Sequence, residues 1–246
     1  MFVSASTRCF ADEDLWTVLQ RLPDMHFDKV DIWLDESGPH CKPSEVAAAP
    51  EQFVNRLHDQ TRLVPASLTL GHDVSMDLFS TLCDVCKNLR VTQINLPSAP
   101  IGTPFNSEID RLKALVSIAK LAGVRVAVRT ERGALSEDAH TAVEFCQAVP
   151  GLGLAFDPSY YLREGFRKQW SLMAPYTSHV FLRDSTIEQV QVQVGLGEID
   201  YSDLITELKQ HKFDRALSIE MFPELLQPEN RPLEMRKVRM LLESLL

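Results

Sequence analysis

This 246-residue sequence contains no long apolar run, and its basic residues are fewer than its acidic residues. No stretch approaches the ~20 apolar residues that a membrane-spanning helix needs, so we expect no membrane as partner. The first residues contain no basic region leading into an apolar one, so we expect no secretory signal. With 25 Lys and Arg against 34 Asp and Glu, the net charge is −9. Because binding to a phosphate backbone needs a basic face, we expect no nucleic acid as partner either.

Cysteine is also scarce, and its pattern excludes a disulfide framework. Five cysteines are an odd number in a chain of this length, so we expect reduced thiols and a cytoplasmic protein. Cys83 and Cys86 form a C-x-x-C pair, but they lie inside a predicted amphipathic helix, and no second pair completes a zinc site. We therefore predict thiols that face the core rather than metal or redox chemistry.

Short apolar segments alternate with helical patterns along the chain. The strand candidates start roughly 30 residues apart, the length of one strand plus one helix. They are residues 2–6, 29–33, 63–69, 91–96, 124–129, 153–157, 178–182 and 215–220. Between them, apolar residues recur at the i, i+3, i+4, i+7 spacing of helices. Eight strands alternating with eight helices predict a single (β/α)8 TIM barrel over residues 1–246. A doubly wound open sheet is the alternative, but no G-x-G-x-x-G follows any strand.

The last quarter of the chain, residues 179–220, is the most informative stretch. It contains HVFLRD, then VGLGEIDYSDLITELKQHKF, then ALSIE, a pattern that predicts a strand, a loop, a helix and a second strand ending on a carboxylate. These segments resemble the closing part of the xylose isomerase-like TIM barrels, which include sugar-phosphate isomerases and epimerases. MHFDKVDIW, GVRVAVRTERG and LGLAFDPSYYLREG resemble the second, fifth and sixth strand regions of the same family. The resemblance covers most of the chain in order.

The resemblance implies a metal site, of which this sequence keeps half. Family members generally hold one divalent metal with a Glu, an Asp, a His and a Glu from strands five to eight. The matching positions here are Arg129, Asp157, Phe181 and Glu220, so the Asp and the last Glu are kept. A guanidinium can neutralise carboxylates in place of a metal, and its planar fork suits bidentate pairing. We therefore hypothesise that Arg129 lies between Asp157 and Glu220, and we predict no cofactor from half of a ligand set.

Two alternatives stay open around the fifth strand. Glu131 shares a face with Arg129 because strand side chains alternate with a period of two. If the strand is extended or bulged, Glu131 reaches the site as a base or as a ligand and restores a divalent metal site for Mn, Mg or Zn. Otherwise Arg129, Glu131 and Arg132 form a solvated cluster on a loop.

Five further residues at predicted strand ends are candidate substrate contacts. Arg183 either holds a substrate phosphate or carboxylate or pairs with the neighbouring Asp184. Trp33 is either a stacking platform for a sugar or part of the rim. The other three are His72 after strand three, Tyr160 at the family's His position and His179 one pleat below Phe181.

The resemblance favours an isomerase or epimerase that acts on a small sugar, sugar phosphate or polyol by proton transfer next to a carbonyl. Glu220, Asp157, Arg129 and Glu131 are the candidate catalytic residues. A non-catalytic sugar or anion binder of the same fold is the alternative. A nucleic-acid repair hydrolase is disfavoured, because the histidines for several zinc ions are absent. The sequence gives no indication of oligomeric state.

Overall fold

Eight parallel strands close into a barrel at the centre of the structure, a computed structural model that describes residues 1–162 and 166–246. In this described part each strand pairs with the next along the chain, and the first also pairs with the last. The strands are β1 (Phe2–Ser6), β2 (Lys29–Leu34), β3 (Val64–Leu70), β4 (Gln93–Pro97), β5 (Arg125–Arg129), β6 (Leu152–Phe156), β7 (Thr177–Leu182) and β8 (Ala216–Ile219). The predicted TIM barrel is confirmed, and every predicted strand overlaps an observed one.

The α-helices surround the barrel. They are α1 (Leu15–Arg21), α2 (Pro43–Ala48), α3 (Pro50–Gln60), α4 (Met76–Leu89), α5 (Phe105–Leu121), α6 (Ala139–Ala148), α7 (Phe166–Met173), α8 (Tyr201–Gln210) and α9 (Arg231–Leu245). The one helix expected between the second and third strands is present as α3, and α2 precedes it as an additional short helix. Pro50 begins α3 and disfavours helical backbone at the residue before it, and Ala49 accordingly has φ −142°.

Individual residues at the helix ends explain where helices begin and end. Asp200 caps α8 by accepting a hydrogen bond from the backbone N–H of Asp203 at 3.0 Å. Gly123 follows α5 with φ +72°, a left-handed conformation that glycine adopts without strain.

Cys83 and Cys86 are buried on the inner face of α4, which confirms that these thiols face the core. None of the helices that the structure describes is long and apolar enough to cross a bilayer.

The side chains inside the barrel are mostly polar, and they form the layer on which the site lies. Buried side chains hydrogen-bond one another across strands: Ser4 with Ser218 at 2.6 Å, and Asn95 Nδ2 with Thr69 Oγ1 at 2.9 Å. A small apolar cluster of Ala127, Ala155 and Phe181 lies apart from the main core. The main core lies outside this layer, between the strands and the helices. Polar groups at the ends of the strands are therefore backed by further polar groups beneath them.

Candidate active site at the C-terminal end of the barrel

Glu220 lies directly after β8 and is the centre of the site. Its carboxylate is 0% exposed and accepts two hydrogen bonds from Arg129, at 3.2 Å to Oε2 and 2.8 Å to Oε1. A third comes from Arg8 Nη1, at 2.9 Å to Oε1. Burial alone would raise the pKa of Glu220, but the Arg129 and Arg8 guanidiniums hold that pKa well below its usual range. Glu220 is therefore ionised throughout the neutral range.

Arg129, the last residue of β5, is held by charges and by aromatic rings. Its guanidinium carbon lies 4.5 Å from the ring centroid of Phe181 and 5.1 Å from that of Trp33. Its Nε also lies 3.4 Å from Glu131 Oε2. Glu220 and Glu131 raise the pKa of Arg129 despite its burial, so this side chain is a permanent cation. Because Arg129 is buried, the reading of a solvated loop cluster is wrong for it.

Asp157, directly after β6, has a different partner. Arg183 Nη2 donates to Asp157 Oδ2, and the other oxygen accepts from the backbone and side chain of Ser159 at 3.0 and 2.6 Å. Both Asp157 and Arg183 are buried. Burial raises the pKa of Asp157, and the Arg183 guanidinium opposes that rise. The alternative in which Arg183 pairs with Asp184 is wrong in this structure.

Asp184 instead fixes the loop that follows β7. Its Oδ2 accepts hydrogen bonds from the backbone N–H groups of Gly195 at 2.7 Å and Gly197 at 3.1 Å. A Cβ atom at residue 197 would lie 1.8 Å from Asp184 Oδ1, so only glycine fits there. The V-G-L-G segment, residues 194–197, thus holds in place the strand end that carries Arg183.

Arg8 is a member of the site that sequence reasoning missed. It lies two residues beyond β1, in a short 3-10 turn. Its guanidinium carbon lies 4.2 Å from the Trp33 ring centroid and 4.5 Å from that of Phe222. The Arg8 side chain is 20% exposed, while Glu220 and Arg129 beneath it are almost fully covered. Its position after a strand end was the signal that could have identified it.

A second buried carboxylate, Asp31, lies within β2 below Glu220 and was also missed. Its Oδ1 accepts from Ser67 at 2.6 Å and Thr69 at 2.5 Å, and its Oδ2 accepts from Ser6 at 2.9 Å. Ser6 Oγ also lies 3.5 Å from Glu220 Oε2, so it joins the two carboxylates. Burial raises the pKa of Asp31 to about 6, and the hydroxyls only partly offset this. A carboxylate among apolar neighbours in a predicted strand was the available signal.

The donor set at this end of the barrel does not fit a divalent metal. The described residues contain no group of three or more His, Cys, Asp or Glu side chains arranged to hold one. Asp157 and Glu220 are each engaged by guanidiniums, and the family's Glu and His positions are occupied by Arg129 and Phe181. Arg129 contacts Glu220 but has no hydrogen bond or ion pair with Asp157 in the part of the chain that the structure describes. The hypothesis that Arg129 lies between the two carboxylates is therefore wrong for Asp157, whose cation is Arg183.

The other predicted site residues are distributed around this network. Trp33 is buried under Arg8 and Arg129 rather than open as a platform, and His179 is buried with its ring centroid 4.6 Å from that of Phe181. Burial lowers the pKa of His179 to about 3, so it is neutral. Half-buried Tyr160 has its ring centroid 5.5 Å from the Arg183 guanidinium carbon. The end of the predicted sixth-strand motif, residues 163–165, lies outside the described residues.

Two pockets flank the network. One, of about 490 Å³, is lined by Glu131, His72 and Arg132 and by the apolar walls of Pro97 and Ala99. The other, of about 440 Å³, lies on the Trp33 side. Glu131 is 24% exposed and touches both the first pocket and Arg129, whereas the His72 side chain is 67% exposed. Because Glu131 joins open space to the buried cation, the first pocket is the better candidate for a substrate.

Comparison with solved structures shows the fold at low sequence identity. A probable 3-DHS dehydratase from Bacillus anthracis has 15% identity and a TM-score of 0.75 over 99% of both chains. A D-allulose 3-epimerase from Methylomonas sp. has 13% identity and a TM-score of 0.78, with 100% of this chain and 98% of that chain covered. An IOLI protein with a bound zinc atom has 16% identity and a TM-score of 0.77 over 100% and 99%. No curated protein sequence matches the chain.

The family follows from a different comparison. The sequence model of the xylose isomerase-like TIM barrels matches residues 24–244. The match begins after α1, just before β2, and extends into α9, and it includes the ends of β5 to β8 that carry Arg129, Asp157, Arg183 and Glu220. The resemblance stated from the sequence is thereby confirmed, and the chain belongs to the xylose isomerase-like TIM barrel family.

Proposed function

We propose that this chain is an isomerase or epimerase that acts on a small sugar, sugar phosphate or polyol by proton transfer next to a carbonyl, without a divalent metal. The observation that carries the proposal is Arg129. It is a buried, permanently charged guanidinium at a strand end that bonds Glu220 bidentately and touches Glu131 at 3.4 Å. Family membership and the epimerases among the similar structures support the reaction class.

The chemistry needs a cation and a base close together. A base removes the proton on the carbon next to the carbonyl, the electron pair moves to the carbonyl oxygen, and the enolate oxygen becomes negative. A guanidinium fixed beside that oxygen stabilises the charge without having to reorganise. In an isomerisation the proton of the adjacent hydroxyl moves to the enolate oxygen, the new carbonyl forms from that hydroxyl oxygen, and the base returns its proton to the former carbonyl carbon. In an epimerisation an acid on the opposite face delivers a proton to the original carbon, the carbonyl re-forms, and the centre is inverted.

The residues divide between these roles. Glu131 is our candidate base because it is partly exposed, lines the 490 Å³ pocket and has one long contact to a guanidinium. Arg129 and Arg8 are the candidate cations. Glu220 is a poor base because guanidiniums hold its pKa so low; with Asp157 it serves as a counter-ion that orients the arginines. Tyr160, half-buried beside Arg183, is available as the second proton carrier.

One observation favours a second candidate, a non-catalytic sugar or anion binder. Glu220 and Asp157 are both buried and both paired with arginines, so neither is free to act on a ligand as the structure stands. A similar structure from Methylomonas sp. was determined in complex with D-allulose. In the second candidate the pocket beside Glu131 holds such a small carbohydrate and no proton moves.

Proton NMR in deuterated water separates the two candidates. A panel of small keto- and aldo-sugars and their phosphates is incubated with the chelator-treated protein. We expect deuterium to enter at the carbon next to the carbonyl of one of them. Glu131→Gln should slow this exchange by about 10²–10⁴-fold, the usual contribution of a general base.

Glu144→Gln is the matched control, because Glu144 is exposed on α6 and lies outside the site. Saturable binding without exchange would favour the second candidate. Exchange that appears only when a divalent metal is added would overturn the metal-free proposal. Exchange that is unaffected by Glu131→Gln would remove Glu131 from the role of base.

A further inference from the structure

A pocket of about 720 Å³ lies at the opposite, N-terminal end of the barrel. It is larger than either pocket beside the carboxylate network, and no part of the proposed reaction uses it. Three cationic side chains line it: Lys120, Arg125 and Arg215. The remaining lining comes from Val116 of α5 and from residues at the starts of the neighbouring strands and the turns before them, including Gly123, Gly151 and Thr92.

The fold brings the three cations together from distant parts of the chain. Arg125 is the first residue of β5, and alternation places it on the same face as Ala127 and Arg129. Lys120 lies in the last turn of α5, and Arg215 lies directly before β8. The two ends of β5 therefore each present an arginine on one face of the strand.

These three charges lack the partners that the arginines at the other end have. Within the described residues, the one ion-pair contact among them is between Arg215 Nε and Asp214 Oδ1, at 3.9 Å. The Asp214 side chain is 82% exposed, so it is a weak counter-ion. Arg125 is half-buried and has no hydrogen-bond acceptor for its guanidinium among the described side chains.

The electrostatics of Arg125 agree with this geometry. Burial and the nearby Arg215 both lower the pKa of Arg125, and Asp214 is the opposing charge. Two guanidiniums and an ammonium thus face one cavity in a chain whose net charge is −9. Partly desolvated cations without acceptors are unfavourable, and an oxyanion that supplies acceptors would relieve the repulsion.

We propose that this pocket is a binding site for a small multivalent oxyanion, a molecule bearing phosphoryl or carboxylate groups. The Arg125 guanidinium provides a planar fork for two oxygens of the anion, and Arg215 and Lys120 neutralise its remaining charge. A cavity of this size accommodates a small metabolite rather than a polymer. The inference is independent of the reaction proposed for the other end of the barrel.

Calorimetric titration of the full chain with pyrophosphate tests the site. We expect saturable 1:1 binding that weakens by at least about tenfold in Arg125→Gln, because the variant removes both charge-assisted hydrogen bonds of the guanidinium. Lys120→Gln, an exposed change that should not disturb folding, is expected to weaken binding as well. Lys113→Gln is the matched control: it removes the same charge from an exposed position on the same helix and should leave the affinity unchanged.

The same titration with citrate distinguishes the two chemical sources of the oxyanion. Tighter binding of pyrophosphate assigns the site to phosphoryl groups, and tighter binding of citrate assigns it to carboxylates. Absence of saturable binding to either probe overturns the proposal. So does binding that Arg125→Gln and Lys120→Gln leave at the wild-type affinity while both variants keep the circular dichroism spectrum of the folded protein.

Discussion

Glu220 and Asp31 are two carboxylates at different depths of one barrel, and their surroundings shift their acidities in opposite directions. Both are 0% exposed, and Ser6 contacts both of them. Guanidiniums surround Glu220 and lower its pKa, whereas hydroxyls surround Asp31 and leave its pKa raised to about 6. The three hydroxyl donors around Asp31 do not cancel the rise in pKa that burial causes. The two guanidiniums that hydrogen-bond Glu220 do more than cancel it. Burial depth alone therefore says little about a barrel carboxylate, and the charge of its partners decides its ionisation.

The largest loss of stability should come from removing Arg129, the cation that does most to lower the pKa of Glu220. Arg129→Met leaves a fully buried carboxylate with Arg8 as the one remaining cation that hydrogen-bonds it among the described residues, and we expect the free energy of unfolding to fall by about 3–5 kcal/mol. Denaturant titration at neutral pH measures it. The double variant Arg129→Met with Glu220→Met should regain much of the loss, since it removes both buried charges. A single-variant loss below about 1 kcal/mol would mean that Arg129 does not balance Glu220 in the folded protein.

Glu220→Gln should lower the free energy of unfolding by about 3 kcal/mol at neutral pH, and this loss should be smaller in acid. The folded-state pKa of Glu220 lies below its ordinary value of 4.5, so the stability it contributes is present above that pH and is lost as the pH falls. Denaturant titrations of both proteins from pH 3 to pH 7 measure the difference. A cost that stays constant across this range would mean that the guanidiniums do not lower the pKa of Glu220.

Asp31→Asn should show the opposite pH dependence. The pKa of Asp31 is raised from 3.8 to about 6, so its protonated form is favoured by folding. Wild-type stability should therefore fall relative to Asp31→Asn as the pH rises through this window, by about 3 kcal/mol in total. Asp59→Asn, an exposed change on α3, is the control and should show no such trend. Parallel slopes for the Asp31 and Glu220 variants would break the contrast between the two carboxylates.

The smallest effect should come from Arg8, which is partly exposed. Arg8→Gln removes one charge-assisted hydrogen bond to Glu220, and solvent screening limits the loss of stability to about 1 kcal/mol. The pKa of Glu220 should rise, because Arg8 is the second of the cations that lower it. The matched control is Arg62→Gln at an exposed site. If the acid dependence of stability is unchanged in Arg8→Gln, Arg129 alone sets the ionisation of Glu220.

The sequence predicted the barrel well because strand spacing, apolar periodicity and family motifs agree along the whole chain. It also identified the strand-end residues Arg129, Asp157, Arg183 and Glu220, since their positions follow from the strand boundaries. Which guanidinium pairs with which carboxylate could not be predicted, because several long side chains meet within one small space. That choice depends on side-chain torsions and on neighbouring rings, and neither leaves a pattern in the sequence.

Two residues were missed for different physical reasons. Arg8 lies in a 3-10 turn just after β1, a segment without the periodicity of a helix or a strand. Asp31 lies in β2 between the apolar residues Val30 and Ile32, where a single polar residue is easily taken for the solvent side of an alternating pattern. The inner layer of this barrel is polar, so the usual assumption that inward positions are apolar fails at Asp31.

Arg8 lies between the rings of Trp33 and Phe222 and covers Glu220 and Arg129. This arrangement affects how fast a ligand can associate. A ligand that approaches either residue from the Trp33 side must wait for the Arg8 side chain to leave its place between the two rings. Association would then proceed through an opening step whose rate does not depend on ligand concentration. The observed rate constant for such a ligand should level off at high concentration, and shortening residue 8 should raise that plateau.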